Sequence, residues 1–285
     1  MEIANAYDNR KLFIELFNRY TKYAPYTVKL DEDILNRYLF RLDQNQENRI
    51  LIGTKGSESG VIHYGTWGEH VGIIHLLFAD SNPMATELLG IAEEWFSGQK
   101  FGVFKGYMGY PSPYMYILHG SEPYCWAGNY PANNAFRRAG YDLELDVLVM
   151  SRNLNPDGSN FPPDKSDFEV KEEILRDDDL ALAGRFIASQ NGVWAGRCGY
   201  HYLKALSGQL GRKYGQVDIW LNDDFHGTGL AGILMGLAHS ALTQLGVVRV
   251  MLATNQELFR AIKFYDKTGY VVEPIKAYSY QKITH

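Results

Sequence analysis

Two stretches almost half a chain apart end alike: Phe136-Arg137-Arg138-Ala139-Gly140-Tyr141 and Tyr265-Asp266-Lys267-Thr268-Gly269-Tyr270. In each, an aromatic residue near the end of a helical pattern stands four positions before Gly-Tyr. An alternating run follows both, Leu143 to Met150 in the first and Val271 to Lys282 in the second. A duplication limits the chain to folds that can be built twice, and it sets how many sites to expect. The length of 285 residues suits two domains of ordinary size.

Between the copies, NLNPDGSNFPPDKSD from Asn153 to Asp167 concentrates Pro, Gly, Asn, Asp and Ser, as a linker or long loop does. The expected division is a first domain over 1–152, a linker over 153–167 and a second domain over 168–285. In the first half, Leu12, Phe13, Leu16, Phe17 and Tyr20 have helical spacing, and Asp31 with Ile34, Leu35, Tyr38 and Leu39 predicts a second helix. Strand-like runs follow at Arg49 to Gly53, Gly60 to Thr66 and Val71 to Ala79, then a helix from about Pro83. The second half is more compact: a strand Phe168 to Leu175, a helix after Asp177-Asp178-Asp179, and a Gly- and Tyr-rich stretch from Val193 to Tyr214 that periodicity does not divide. Then come a strand Val217 to Leu221, a helix Gly229 to Leu245, a strand Val247 to Ala253 and a helix Leu258 to Thr268 ended by Gly269. Alternating strands and helices of this kind predict an α/β or α+β fold with a mixed sheet in each half.

Composition narrows function by exclusion. A net charge of -5 lacks the basic excess that a phosphate backbone requires, so nucleic acid is not an expected partner, whereas a cationic small substrate is electrostatically easier. The opening MEIANAYDNRKLF has no basic flank before an apolar core, and no apolar run reaches ~18 residues, so no membrane association and a cytoplasmic location are expected. Cys125 and Cys198 lie far apart without partners at metal-ligand spacing, which argues against a disulfide framework or a zinc site; no metal is expected.

The loop His226-Gly227-Thr228-Gly229-Leu230-Ala231, set between a strand and a helix, together with Ala261, Tyr265 and Gly269-Tyr270 in the next helix, resembles the GCN5-related N-acetyltransferase (GNAT) family in a tandem arrangement. The family has Gln/Arg-x-x-Gly-x-Gly/Ala at the loop, where this chain starts with His226. It has Asn-x-x-Ala-x-x-x-Tyr in the helix, where Leu258 replaces the Asn. The first half keeps Asn129, Ala132 and Phe136 at that spacing but has no tyrosine hydroxyl. Its loop, Asp80-Ser81-Asn82-Pro83-Met84-Ala85, has no glycine and presents a carboxylate where a diphosphate would lie. The resemblance implies two GNAT-like domains, each a mixed sheet flanked by helices, with a degenerate first copy and one acetyl-coenzyme A site in the second.

Unpaired N–H groups at a helix N-terminus form an anion site, and glycines permit close approach, so His226, Gly227, Thr228, Gly229, Leu230 and Ala231 are the candidate diphosphate cradle. The resemblance adds backbone groups of the strand, at Ile219 and Leu221, toward the pantetheine arm and the oxyanion. Tyr265 is the candidate proton donor to the leaving thiolate. Asp218 and Glu257 are the candidate bases, although a carboxylate at either place is more often a solvated surface group. Asn255 either meets the pantetheine arm or caps the next helix. Asp223 and Asp224 read as turn residues. The aromatic run Tyr107, Tyr110, Tyr114, Tyr116, Tyr124 and Trp126 reads as a substrate loop or an interface, and His63, His75 and His201 as satisfied core or groove residues. The expected activity is transfer of an acetyl or other short acyl group from acyl-coenzyme A to a primary amine of a small molecule or peptide. The alternatives are a non-catalytic coenzyme-A-binding regulatory module and aminoacyl transfer from tRNA, the latter disfavoured by the acidic balance. A homo-oligomer is compatible with all three.

Overall fold

The computed structural model describes residues 1–40, 48–108, 112–155 and 167–284. Tyr110 and most of the expected linker lie outside the described residues. The chain divides into two compact units, one of Met1–Val147 with Ile275–His285 and one of Leu148–Pro274.

The first unit opens with β1 (Glu2–Asn5) and α1 (Arg10–Tyr20), whose Phe13, Leu16 and Phe17 are buried. A single α-helical turn, α2 (Glu32–Ile34), is capped by the Asp31 side chain, which accepts a hydrogen bond from the Ile34 N–H. It continues as a π-helical turn over Leu35–Leu39, so the second predicted helix is present in a wider winding. There follow β2 (Arg49–Lys55), β3 (Glu58–Trp67), β4 (Val71–Ala79), α3 (Asn82–Gly98), β5 (Val103–Gly106), β6 (Cys125–Trp126), α4 (Tyr130–Arg138) and the start of β7 (Asp142–Asn153). The sheet runs β1-β2-β3-β4-β5 and is completed by β13 (Val271–Ile283), with β4 and β5 parallel and the other described pairs antiparallel. Residues past Ile275 join this unit because Tyr280 to Ile283 pair with β5 and Ala277 and Tyr278 with β6. The sequence placed all of 168–285 in the second domain. One 13-residue strand instead begins in one unit and ends in the other, which no local pattern announces.

The second unit takes the end of β7, then β8 (Glu169–Asp177), β9 (Leu182–Gln190), β10 (Val193–Tyr202), α5 (Lys204–Leu210), β11 (Tyr214–Leu221), α6 (Leu230–Gln244), β12 (Arg249–Asn255), α7 (Phe259–Lys267) and the start of β13. Strands β8 to β11 form an antiparallel meander, and β11 pairs β12 in parallel. The helix expected after the Asp177-Asp178-Asp179 triplet is strand β9. The Asp178 carboxylate accepts from the N–H groups of Leu180 and Ala181, and its own N–H bonds the Ala181 carbonyl, closing a tight turn rather than capping a helix. Behind that turn Phe186 and Ala188 alternate with half-buried Arg185 and Ile187, a strand period that short apolar runs do not separate from a helical one.

One face of this sheet packs on α6 through Leu230, Leu234, Met235, Ala238 and Leu242, which meet Ala195, Cys198, Tyr200 and Val217 in a single core that also holds Tyr265 and Tyr270. Among the described residues no helix is long and apolar enough to cross a membrane.

Candidate active site

In the second unit β11 and β12 pair only at their starts, Tyr214 with Arg249, Gly215 with Val250 and Gln216 with Met251. Beyond that step both strands continue, to Leu221 and to Asn255, without pairing to one another. The edge of β11 that faces β12 is therefore a row of backbone groups over Val217 to Leu221, with Ile219 three residues past the last pair. Parallel strands that separate in this way leave a slot lined by main-chain donors and acceptors.

The loop after β11 is shaped by local bonds. The Asn222 amide donates to the Trp194 carbonyl, its side-chain oxygen accepts from the Asp224 N–H, and a 3-10 turn spans Asp223–Phe225, as the turn reading of Asp223 and Asp224 expects. Phe225 packs edge-on against Phe168, and the Thr228 hydroxyl donates to the Phe225 carbonyl. Gly227 and Gly229 then sit at φ +83 and +85, a left-handed conformation that disfavours any side chain although the space beside both is open. No side chain caps α6 at Gly229. Among the described residues the N–H groups of Gly227, Gly229, Leu230 and Ala231 make no hydrogen bond, so four free donors lie at or just before the positive end of a 15-residue helix. His226 is half-exposed, its Nδ1 3.8 Å from Asp223 Oδ1. This chemistry fits a diphosphate.

Tyr265, on α7, is buried in the core shared with α6 and β12 and lies with its ring centroid 5.9 Å from that of Tyr270. Tyr270 is anchored by its hydroxyl, 2.8 Å from His239 Nε2. Glu257 is exposed. The Asn255 side chain accepts from the Glu257 N–H in the turn before α7 and does not cap the helix, whose N-cap position is Leu258.

Asp218 is not a free surface carboxylate. It projects to the face of the sheet away from α6, over Gly199, where a Cβ would stand 2.1 Å from its Oδ2. His201 Nε2 is 2.8 Å from the same oxygen. Burial acts to raise the Asp218 pKa, but the His201 hydrogen bond and the charges of Arg197 and Arg185 outweigh it and hold the group below its ordinary value. His201, read from sequence as a groove or core residue, is thus half of an imidazole–carboxylate pair bridging β10 and β11. Only the period-2 register of β10 against β11, Gly199 opposite Asp218, could have signalled it.

In the first unit the corresponding positions are occupied by the protein itself. Strands β4 and β5 also pair only as far as Ile74 with Gly106, and β4 then runs on alone. The Tyr107 N–H bonds the Ile74 carbonyl, the chain turns at φ +56, and the buried Tyr107 phenol fills the slot. Its hydroxyl accepts from the Leu77 N–H at 2.8 Å and donates to the Leu77 carbonyl at 2.9 Å, and the Asn129 amide donates to that same carbonyl. Leu77 lies three residues past the last pair, the position Ile219 has in the second unit. At the start of α3, Ser81 caps the Met84 N–H, Pro83 has no N–H, and the carboxylates of Asp80 and Glu58 stand close by. Tyr107, Tyr114 and Tyr116 are buried within this unit rather than lining a substrate loop.

Residues 150–270 match the model of the acetyltransferase (GNAT) family. The match spans this segment, less than half of the chain. No curated protein matches the chain. Among solved structures, a tandem GNAT protein from the clavulanic acid biosynthesis pathway shares 10% identity at a TM-score of 0.68, covering 99% of this chain and 98% of its own. A glucosamine N-acetyltransferase region of a fungal multi-domain β-N-acetylglucosaminidase has 12% identity and the same TM-score, over 99% of this chain and 38% of that one. A GCN5-related N-acetyltransferase from Sphaerobacter thermophilus has 14% identity and a TM-score of 0.59, over 95% and 91%. At these identities the likeness is one of fold, and the fold is a tandem GNAT fold. The family's general chemistry is acyl transfer from an acyl-coenzyme A.

Proposed function

We propose that the protein is an N-acyltransferase with one working site, in the second unit, that moves an acetyl or other short acyl group from coenzyme A to the primary amine of a small molecule or peptide. The observation that carries this reading is the set of four unpaired N–H groups, from Gly227 to Ala231, at the mouth of an open slot between β11 and β12. The N–H groups and the positive end of α6 bind the diphosphate, with His226 and Thr228 beside them. The free edge of β11 at Ile219 and Leu221 holds the pantetheine arm and donates to the thioester oxygen, and Asn255 closes the far side.

In the reaction the amine nitrogen attacks the thioester carbonyl carbon and the carbon–sulfur bond breaks. The His201–Asp218 pair collects the proton the amine gives up, and Tyr265 supplies one to the departing sulfur. Glu257, exposed at the entrance to α7, is left as a surface charge. Acetyl-coenzyme A and an amine are the partners; cytoplasmic location belongs to the same proposal. The test is thiol release from acetyl-coenzyme A across a panel of amines. Amine-dependent release supports the reading, and tight binding of the coenzyme without release for any amine favours a regulatory coenzyme-binding module.

A further inference from the structure

The face of the second unit's sheet opposite α6 carries a group that the acyl-transfer scheme above does not use. Cys198 points toward α6, with its sulfur 3.7 Å from that of Met235, so its neighbours Arg197 and Gly199 point the other way. Arg197 lies opposite Trp220 and Ile187, and Gly199 lies opposite Asp218 and Arg185. Arg185, Arg197, His201 and Asp218 therefore surround the depression left where Gly199 has no side chain.

Most of the arginines on this unit's strands have a partner. Arg176 pairs with Asp178, Arg185 with Glu173 and Arg249 with Glu273, while Arg152 donates to the Thr268 carbonyl. Arg197 differs: it is half-buried and forms no hydrogen bond or ion pair among the described residues. Asp218, the nearest carboxylate in the register, is already bonded by His201. A partly desolvated guanidinium with its five donors unused is a fork matched to a planar oxyanion. Solvent reaches the place, since Trp220 is 65% exposed and the Asp218 side chain 33%.

The direction of approach follows from the core. Leu230, Leu234, Leu252 and Tyr265 belong to the packed core on the α6 side of the sheet, so an amine would reach a thioester held at Ile219 from the other face, where His201, Asp218 and Arg197 stand. We infer that Arg197 anchors a carboxylate on the acceptor, and that the acceptor is an amine bearing a carboxylate, as in an amino acid. This rests on the acyl-transfer reading. Arg197 is then a specificity residue: it holds the far end of the molecule while the His201–Asp218 pair takes the amine proton.

The experiment compares α-amino acids with their decarboxylated amines, for example L-phenylalanine with 2-phenylethylamine, with phosphoethanolamine as a second oxyanion, in wild type and in Arg197→Gln and Arg197→Lys. The wild type is expected to favour the amino acids in kcat/KM. Arg197→Gln should raise KM for them by about 10- to 100-fold, the loss of one charge-assisted bond, with KM for the plain amines and Kd for acetyl-coenzyme A unchanged. Arg197→Lys should recover part of the preference, which a variant that merely misfolds could not show. Equal kcat/KM with and without the carboxylate overturns the assignment, as does a preference for phosphoethanolamine alone. A weaker Kd for acetyl-coenzyme A in Arg197→Gln gives the guanidinium to the coenzyme's phosphates instead. Failure of the wild type to bind acetyl-coenzyme A at all removes the acyl-transfer reading, and is distinguished from the other outcomes by that Kd.

Discussion

The two units build the same slot and treat it in opposite ways. In the first, Tyr107 spends both hydrogen-bonding capacities of its phenol on the Leu77 backbone, and Ser81 spends its hydroxyl on the start of α3. In the second, the equivalent step at Ile219 receives nothing from β12 or α7, and the start of α6 has no cap. Buried backbone groups need partners. A parallel pair that splays therefore has two stable outcomes, an internal plug or a ligand; the first unit displays the plug, and the proposed function assigns the ligand to the second.

The contrast can be broken most forcefully at the helix aromatic. Tyr265→Phe should lower kcat about 100-fold, the lower end for loss of a general acid, with little change in Kd for acetyl-coenzyme A, as steady-state kinetics and calorimetry would read. The reverse change in the other unit, Phe136→Tyr, should leave kcat untouched, because that ring stacks on Tyr280 at 4.8 Å inside a plugged copy. A gain of activity there would mean that the first slot is accessible.

A second difference lies in acid sensitivity. In the first unit His63 and His75 are buried with ring centroids 5.0 Å apart. His63 Nδ1 meets the Tyr114 hydroxyl, while His63 Nε2 and both nitrogens of His75 have no partner among the described residues. Burial lowers the His75 pKa from 6.5 to about 3, and lowers His63 as well, with the neighbouring imidazole adding to it. A depressed histidine pKa means that the unfolded chain binds the proton first, so stability is full above about pH 6.5 and declines as pH falls toward 3. For His75 alone the loss at pH 5 is about 2 kcal/mol. Melting followed between pH 8 and 5 should show it, and His75→Gln should flatten the profile. A wild-type profile already flat would show that water or another group satisfies the pair.

The plug itself should matter to stability and not to chemistry. Tyr107→Phe leaves the Leu77 N–H without its partner, a loss of about 1 to 3 kcal/mol in denaturant titration, while turnover at the other slot stays as in wild type. Smallest is Arg19→Ala, which removes a half-exposed pair with Asp80 and should cost less than about 1 kcal/mol.

How much of this was legible beforehand follows from range. The Gly227–Gly229 loop, α6 and the Tyr265 helix are readable as elements because glycine spacing, 3.6-residue periodicity and a C-cap glycine are local signals. Strand β9 was misread as a helix because its acidic turn and short apolar run imitate a capped helix start, and only pairing on both sides decides it. His201, Arg197 and the Tyr107 plug were not legible. Each acquires meaning from a residue at another place in the chain: His201 from the Asp218 carboxylate it meets, Arg197 from the Gly199–Asp218 register beside it, and Tyr107 from the Leu77 backbone.

The account turns on one coenzyme site, in the second unit. Calorimetric titration of acetyl-coenzyme A into wild type and into Gly229→Glu tests that directly, because the substitution puts a carboxylate among the unpaired N–H groups at a φ of +85 that suits glycine alone. One equivalent bound by wild type and none by the variant is the predicted result. Two equivalents, or one retained in the variant, would mean that the Tyr107 slot takes the coenzyme and would contradict it.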